Sequence, residues 1–116
     1  MKNFEKSLEN LTEYIQAYDD VSLNDGESLN FLLQKINTTL FYLETERANF
    51  KKQYEMKVFD LTTNKKMTVA RAINFAEVDV PELYLLRRIM DSGYRISDAI
   101  RTNISFLKSE KRNAQM

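Results

Sequence analysis

The sequence predicts an all-α fold: a long antiparallel helical hairpin, coiled-coil-like, with an extra N-terminal helix and a short helical tip. The 116 residues include only two Gly and one Pro, which indicates few, long elements. Seven Phe and six Tyr supply material for a core. Apolar residues recur at helical spacing along most of the chain. Length predicts a single helical domain over residues 1–116.

The first predicted segment, residues 1–27, is a helix followed by a polar linker. Its apolar residues alternate spacings of four and three, as one face of a helix requires. They are Phe4, Leu8, Leu11, Ile15 and Tyr18. The helix is expected to end in the polar stretch DDVSLNDGES, where Gly26 interrupts the pattern.

The second predicted segment, residues 28–62, is a long helix with a heptad-like apolar seam. Asp25 or Ser28 is expected to be its N-cap, because either side chain can accept a hydrogen bond from a first-turn amide. Arg47 occupies the one position where an apolar residue is due. The seam comprises Leu29, Leu33, Ile36, Leu40, Leu43, Phe50, Tyr54, Val58 and Leu61.

The third long helix, residues 80–113, is expected to begin at the sequence DVPE. Asp79 can cap it, Pro81 suits its first turn, and Glu82 completes a capping-box-like arrangement. Two apolar stripes give it a wide apolar face, which predicts packing in the hairpin and also a homo-oligomer. The packing and oligomer seam is Leu83, Leu86, Ile89, Met90, Ile96, Ile100, Ile104 and Leu107.

Between these helices, residues 63–79 form the predicted tip. Thr68 can cap a short helix with the sequence VARAINFA. Ile73, Phe75 and Val69 are expected to tuck back onto the end of the hairpin. Pro81 then marks the first turn of the third long helix.

Residue types exclude most catalytic chemistry. The chain has no Cys and no His, which removes disulfides, thiolate sites, the usual zinc sites and histidine acid–base chemistry. No glycine-rich phosphate loop is present. We therefore expect a protein that is not an enzyme and has no metal or cofactor. No apolar run approaches the ~20 residues of a membrane span, and the N-terminus is no signal peptide, so a cytoplasmic location is expected.

Charge is divided unequally along a chain of zero net charge. Residues 1–46 hold 3 basic and 9 acidic side chains, and residues 47–116 hold 14 and 8. Such asymmetry is typical of a basic binding surface, or the acidic part simply packs near the basic part. In an antiparallel hairpin, eight basic residues lie toward one end, as candidate nucleic-acid contacts or as a solvated, ion-paired face. They are Lys51, Lys52, Lys57, Lys65, Lys66, Arg71, Arg87 and Arg88.

Residues 46–110 resemble the UvsY-type recombination mediators of bacteriophages. The resemblance rests on A-x-F-K-x-x-Y at 48–54, a basic tip, Tyr94 near the middle of the next helix, and a closing I-x-x-x-I-x-x-L seam at 100–107. It implies a helical oligomer that binds single-stranded DNA and helps to load a recombinase, with no chemistry of its own. The residues that it implicates are Lys51, Lys52, Lys57, Lys65, Lys66 and Arg71.

Two other functions fit the same sequence. One is a small protein-binding inhibitor of a host nucleic-acid enzyme, such as a CRISPR effector, whose acidic segment imitates nucleic acid. Its working residues would be Glu5, Glu9, Glu13, Asp19, Asp20, Asp25 and Glu27. The other is a structural oligomer or scaffold component whose helices only pack.

Overall fold

The computed structural model describes residues 3–114, and these form helices and connecting loops with no strand. The elements in chain order are α1 (Asn3–Ala17), a 3-10 turn (Tyr18–Asp20), α2 (Gly26–Thr63), α3 (Val69–Asp79) and α4 (Pro81–Ala114). The all-α hairpin predicted from the sequence is confirmed. The two long helices begin and end within two residues of the expected positions.

The long helix α2 begins at a side-chain cap. The Asp25 carboxylate accepts a hydrogen bond from the Ser28 amide at 3.0 Å and one from the Ser28 hydroxyl at 2.7 Å. These bonds from Ser28, the hydroxyl first, lower the pKa of Asp25. Of the two expected caps, Asp25 is therefore the acceptor and Ser28 the donor. Farther along, Arg47 interrupts the apolar seam and pairs with Glu44 at 2.7 Å.

Helices α3 and α4 run one after the other antiparallel to α2. Lys57 Nζ lies 3.0 Å from the Asp79 carboxylate, and Ser97 Oγ donates to Asn37 Oδ1 at 2.9 Å. The break between α3 and α4 is at Val80, whose φ and ψ are −127° and 63°. Pro81 explains the break, because its ring disfavours the helical conformation in the residue before it.

The prediction that Asp79 caps the third long helix is wrong. Asp79 is the last residue of α3, and among residues 3–114 its carboxylate contacts Lys57 rather than the first amides of α4. The chain reversal is consequently shorter than the predicted tip of residues 63–79. It is confined to residues 64–68, between the end of α2 and the start of α3.

The reversal loop is held by backbone bonds and a cap. The Met67 amide donates to the Leu61 carbonyl at 3.0 Å, and Lys66 has a φ of 53°, which a residue with a side chain adopts rarely. Thr68 Oγ1 accepts from the Arg71 amide at 3.3 Å, so the predicted cap of the short helix is confirmed.

Helix α3 buries its small residues instead of its large ones. Ala72 and Ala76 are fully buried, and Ile73 is half-buried. Phe75 and Val69 are 46% and 62% exposed, so the prediction that they tuck back onto the hairpin is wrong. Alanine side chains permit a close approach of α3 to α2, and this leaves the larger side chains outside.

Helix α1 completes a three-helix bundle over half of the molecule. The Phe4 ring packs edge-on against Phe50, with centroids 5.1 Å apart. At the other end of α1 the Asn103 amide donates to the Tyr18 hydroxyl at 2.6 Å. Helix α1 therefore runs antiparallel to α2 from residue 50 toward its start. We call residues 51–81, which lie beyond its reach, the arm.

The apolar seam of α4 packs inside the chain. Leu83, Leu86, Met90 and Ile100 are buried without any second copy. Ile89, Ile96, Ile104 and Leu107 are half-buried against the same core. The predicted packing role of this seam is met within one chain, so its buried members cannot also supply a surface for self-association.

Candidate nucleic-acid interface

The structure places the eight candidate basic residues on the arm or at its base. Residues 51–88 hold these eight basic side chains against five acidic ones. At the opposite end of the molecule, Lys108 and Lys111 share a groove with Gly26 and Asn30, beside the acidic start of α2. Acidic and basic segments therefore lie together at that end, whereas the arm keeps a basic excess.

One of the eight candidate basic residues forms a salt bridge within the chain. Lys57 Nζ lies 3.0 Å from the Asp79 carboxylate, and both side chains are half-exposed. A half-exposed pair of this kind contributes at most about 1 kcal/mol to stability. Because Asp79 neutralises the charge of Lys57, this lysine is a poorer candidate for a phosphate contact than an unpaired one.

Lys51 and Arg87 line the same surface pocket at the base of the arm, with a volume of about 490 Å³. Tyr54 and Tyr84 also line the pocket, as do the break residues Val80 and Pro81. Glu55 and Glu77 bring two carboxylates to the same lining. The pocket thus combines aromatic faces, two cations and hydrogen-bond acceptors, which is a combination suited to a nucleotide.

The remaining basic residues surround the arm rather than form one face. Lys65 and Lys66 are exposed in the reversal loop. The Arg71 guanidinium lies 5.8 Å from the centroid of the Phe75 ring. Lys52 lies on the outer side of α2 in a shallow groove with Met56 and Phe59, and Arg88 is exposed on α4.

Three exposed aromatic residues lie among these basic side chains. Tyr84 is 70% exposed, Phe59 is 68% exposed and Phe75 is 46% exposed. From the sequence, Phe75 was expected to pack against the end of the hairpin. The signal for Tyr84 was available, because it lies outside both apolar stripes of its helix. A signal for Phe75 existed too, because Arg71, Asn74 and Glu77 mark the polar side of α3 and Phe75 lies between that side and the alanines.

The strongest perturbation of a side-chain pKa lies away from the arm. The Tyr94 hydroxyl donates to the Glu44 carboxylate across the α2–α4 contact. Burial, and then this hydrogen bond, raise the pKa of Tyr94 to about 12. The pair links two helices in the bundle. Within residues 3–114, no cluster of three or more acidic side chains is arranged to hold a metal.

Comparisons with protein-family models, with curated proteins and with solved structures find no match to this chain. In the part of the chain that the structure describes, none of the helices has the length and apolar character that crossing a membrane requires.

Proposed function

We propose that the protein is a non-enzymatic accessory factor that binds single-stranded DNA through its arm. The observation that carries the proposal is the exposure of Phe75 on the arm and of Tyr84 at its base, both among basic side chains. Proteins that bind single strands pair cations, which follow the phosphates, with aromatic rings on which bases stack. Unpaired bases are available for stacking only in a single strand.

The distribution of charge on the arm favours a flexible ligand. Lys51 and Arg87 lie at its base, Lys65 and Lys66 at its tip, and Arg71 between them beside Phe75. A rigid duplex presents its phosphates along fixed grooves, whereas a single strand can bend around a narrow support. Basic residues on several sides of the arm therefore suit a single strand better than a duplex.

The resemblance to recombination mediators agrees with this proposal. It implies a role in phage recombination or replication, in the cytoplasm of an infected bacterium, at DNA that a single-strand-binding protein already covers. In that role the protein would hold DNA and transform no substrate.

A pair of charge reversals tests the arm. Lys51→Glu with Lys65→Glu changes two exposed arm residues that form no ion pair among residues 3–114. We expect the affinity for a labelled single-stranded oligonucleotide to fall by about tenfold or more, because phosphate contacts dominate such affinity. Fluorescence anisotropy measures the affinity.

The control is Lys108→Glu with Lys111→Glu at the other end of the molecule, which alters the net charge equally. Binding lost equally in both variants would show that overall charge, and not the arm, attracts the DNA. Binding unchanged in the arm variant would remove the arm from the proposal.

A second candidate function has its own observation. Glu5, Glu9 and Glu13 are exposed and four residues apart, so they form one acidic stripe on α1. Such a stripe could occupy the basic groove of a nucleic-acid enzyme, as an inhibitor would. Replacing the three with Gln would abolish inhibition while leaving DNA binding intact, so the two functions are separable by experiment.

A further inference from the structure

The outer side of α2, away from α1, α3 and α4, is an exposed face that no other part of the described chain covers. It follows a heptad spacing from Phe31 to Phe59, which at 1.5 Å per residue is about 42 Å of helix. The residues of this outer face are Phe31, Gln34, Lys35, Thr38, Phe41, Tyr42, Thr45, Ala48, Asn49, Lys52, Glu55, Met56 and Phe59.

The outer face is unusually apolar for exposed surface. Phe31, Phe41, Met56 and Phe59 are 61%, 82%, 62% and 68% exposed. Only three of its thirteen residues are charged. A long exposed stripe with this composition on a folded chain is typical of a protein–protein contact.

The outer face is also nearly symmetric about Thr45. Phe31 and Phe59 lie fourteen residues to either side of it, and the large side chains Gln34 and Met56 lie eleven residues to either side. Phe41 and Tyr42 lie four and three residues before Thr45, and the smaller Asn49 and Ala48 lie four and three residues after it. Reversing the helix direction therefore sets large side chains of one copy against small side chains of the other.

We propose that this outer face binds a second copy of the chain, with the two α2 helices antiparallel and a two-fold axis at Thr45. Such an isologous contact places Phe31 of each protomer near Phe59 of its partner. Phe41 of each protomer lies near Ala48 and Asn49 of its partner, whose small side chains leave room for the ring.

Charge selects this direction over the parallel one. A parallel, in-register pair would set Lys52, which lies near the middle of the face, against its own copy, and like charges at such distances repel. In the antiparallel pair, Lys52 meets the uncharged Thr38, and Lys35 and Glu55 lie at opposite edges of the contact. The arms then point to opposite ends of the dimer, with Lys51, Lys65 and Arg87 outside the contact.

Cysteine cross-linking tests the axis, and the chain is suited to it because it has no native Cys. Thr45→Cys places two thiols at the two-fold axis, where we expect an oxidant to form a disulfide-linked dimer. Thr38→Cys is the matched control on the same face. Its two copies would lie about 21 Å apart along the axis, beyond the ~7 Å Cα separation that a disulfide spans.

Three outcomes are informative. Cross-linking of Thr45→Cys but not of Thr38→Cys supports the antiparallel dimer. Cross-linking of both variants would indicate a parallel pair. Cross-linking of neither variant would indicate that the outer face makes no such contact. Either result overturns the proposal.

Sedimentation supplies a second readout. Phe41→Glu should convert the dimer to a monomer, whereas Phe106→Glu, which alters an exposed ring outside the face, should not. A monomeric unmodified protein would also overturn it.

Discussion

Gly93 lies on α4 where that helix packs closely against both α1 and α2. A Cβ atom there would be 3.2 Å from both Leu11 Cδ1 and Leu40 Cδ2. These leucines are buried, so their methyl groups have little room to move. Alanine gains about 1 kcal/mol in helix propensity, but overpacking a core costs about 1–3 kcal/mol. We expect Gly93→Ala to lower the free energy of unfolding in urea by about 1 kcal/mol, since the crowding outweighs the gain in propensity.

Gly26 provides the matched control for Gly93. A Cβ at Gly26 would meet Leu107 Cδ1 at 3.7 Å, an ordinary contact, in the first turn of α2. Gly26→Ala should therefore leave the unfolding free energy unchanged or slightly higher. If the two substitutions stabilised the protein equally, Gly93 would not lie in a crowded contact between the three helices.

The Tyr94–Glu44 hydrogen bond predicts how stability changes at alkaline pH. The pKa of Tyr94 is raised from 10.0 to about 12, so the folded state favours the protonated phenol. Its contribution is complete below pH 10 and is lost as the pH rises toward 12. Unfolding free energies measured across this window should fall less steeply for Tyr94→Phe than for the unmodified protein. Tyr84→Phe, at an exposed position, should keep the original slope.

At the scale of the element, the cap of α3 tests whether α3 and α4 are separate helices. Thr68→Ala removes the hydrogen bond to the Arg71 amide and should destabilise α3 by about 1 kcal/mol. Hydrogen exchange should accelerate at the α3 amides and stay unchanged in α4, because the break at Val80 separates them. Equal acceleration in both helices would mean that they open as one unit.

The elements themselves were largely predictable. The long seam of α2, the Asp25–Ser28 cap and the Thr68 cap all rest on local patterns that the structure retains. The role of Asp79 was not predictable, because its partner Lys57 is distant in sequence. The orientation of α3 was predictable, because the polar residues Arg71, Asn74 and Glu77 recur at spacings of three along one side of the helix. Ala72 and Ala76 lie on the opposite side, which is the side that faces inward.

The candidate site was predictable only in outline. Basic residues toward one end follow from hairpin topology, and the structure keeps them there. The pairing of Lys57 with Asp79 and the exposure of Tyr84 depend on contacts between segments that are distant in sequence. The length of the arm depends on where α1 begins, which is fixed by contacts such as Phe4 with Phe50 that a sequence pattern does not specify.

At the scale of the whole molecule, the arm makes the protein elongated. Its principal extents are 70 × 30 × 19 Å, and the Cα radius of gyration is 19.5 Å. A compact chain of this length would have a radius of gyration of about 13 Å. Small-angle scattering on the monomeric Phe41→Glu variant should give a value near 19.5 Å. A value close to the compact one would mean that the arm folds back onto the bundle.

The central claim is that the arm binds single-stranded DNA, and one titration tests it most directly. Labelled single-stranded and double-stranded DNA of the same sequence are titrated with the unmodified protein over a range of salt concentrations. We expect tighter binding to the single strand, with a log–log salt slope of roughly −3 for four phosphate contacts. No binding at low salt, or equal binding to both forms of DNA, would contradict the account.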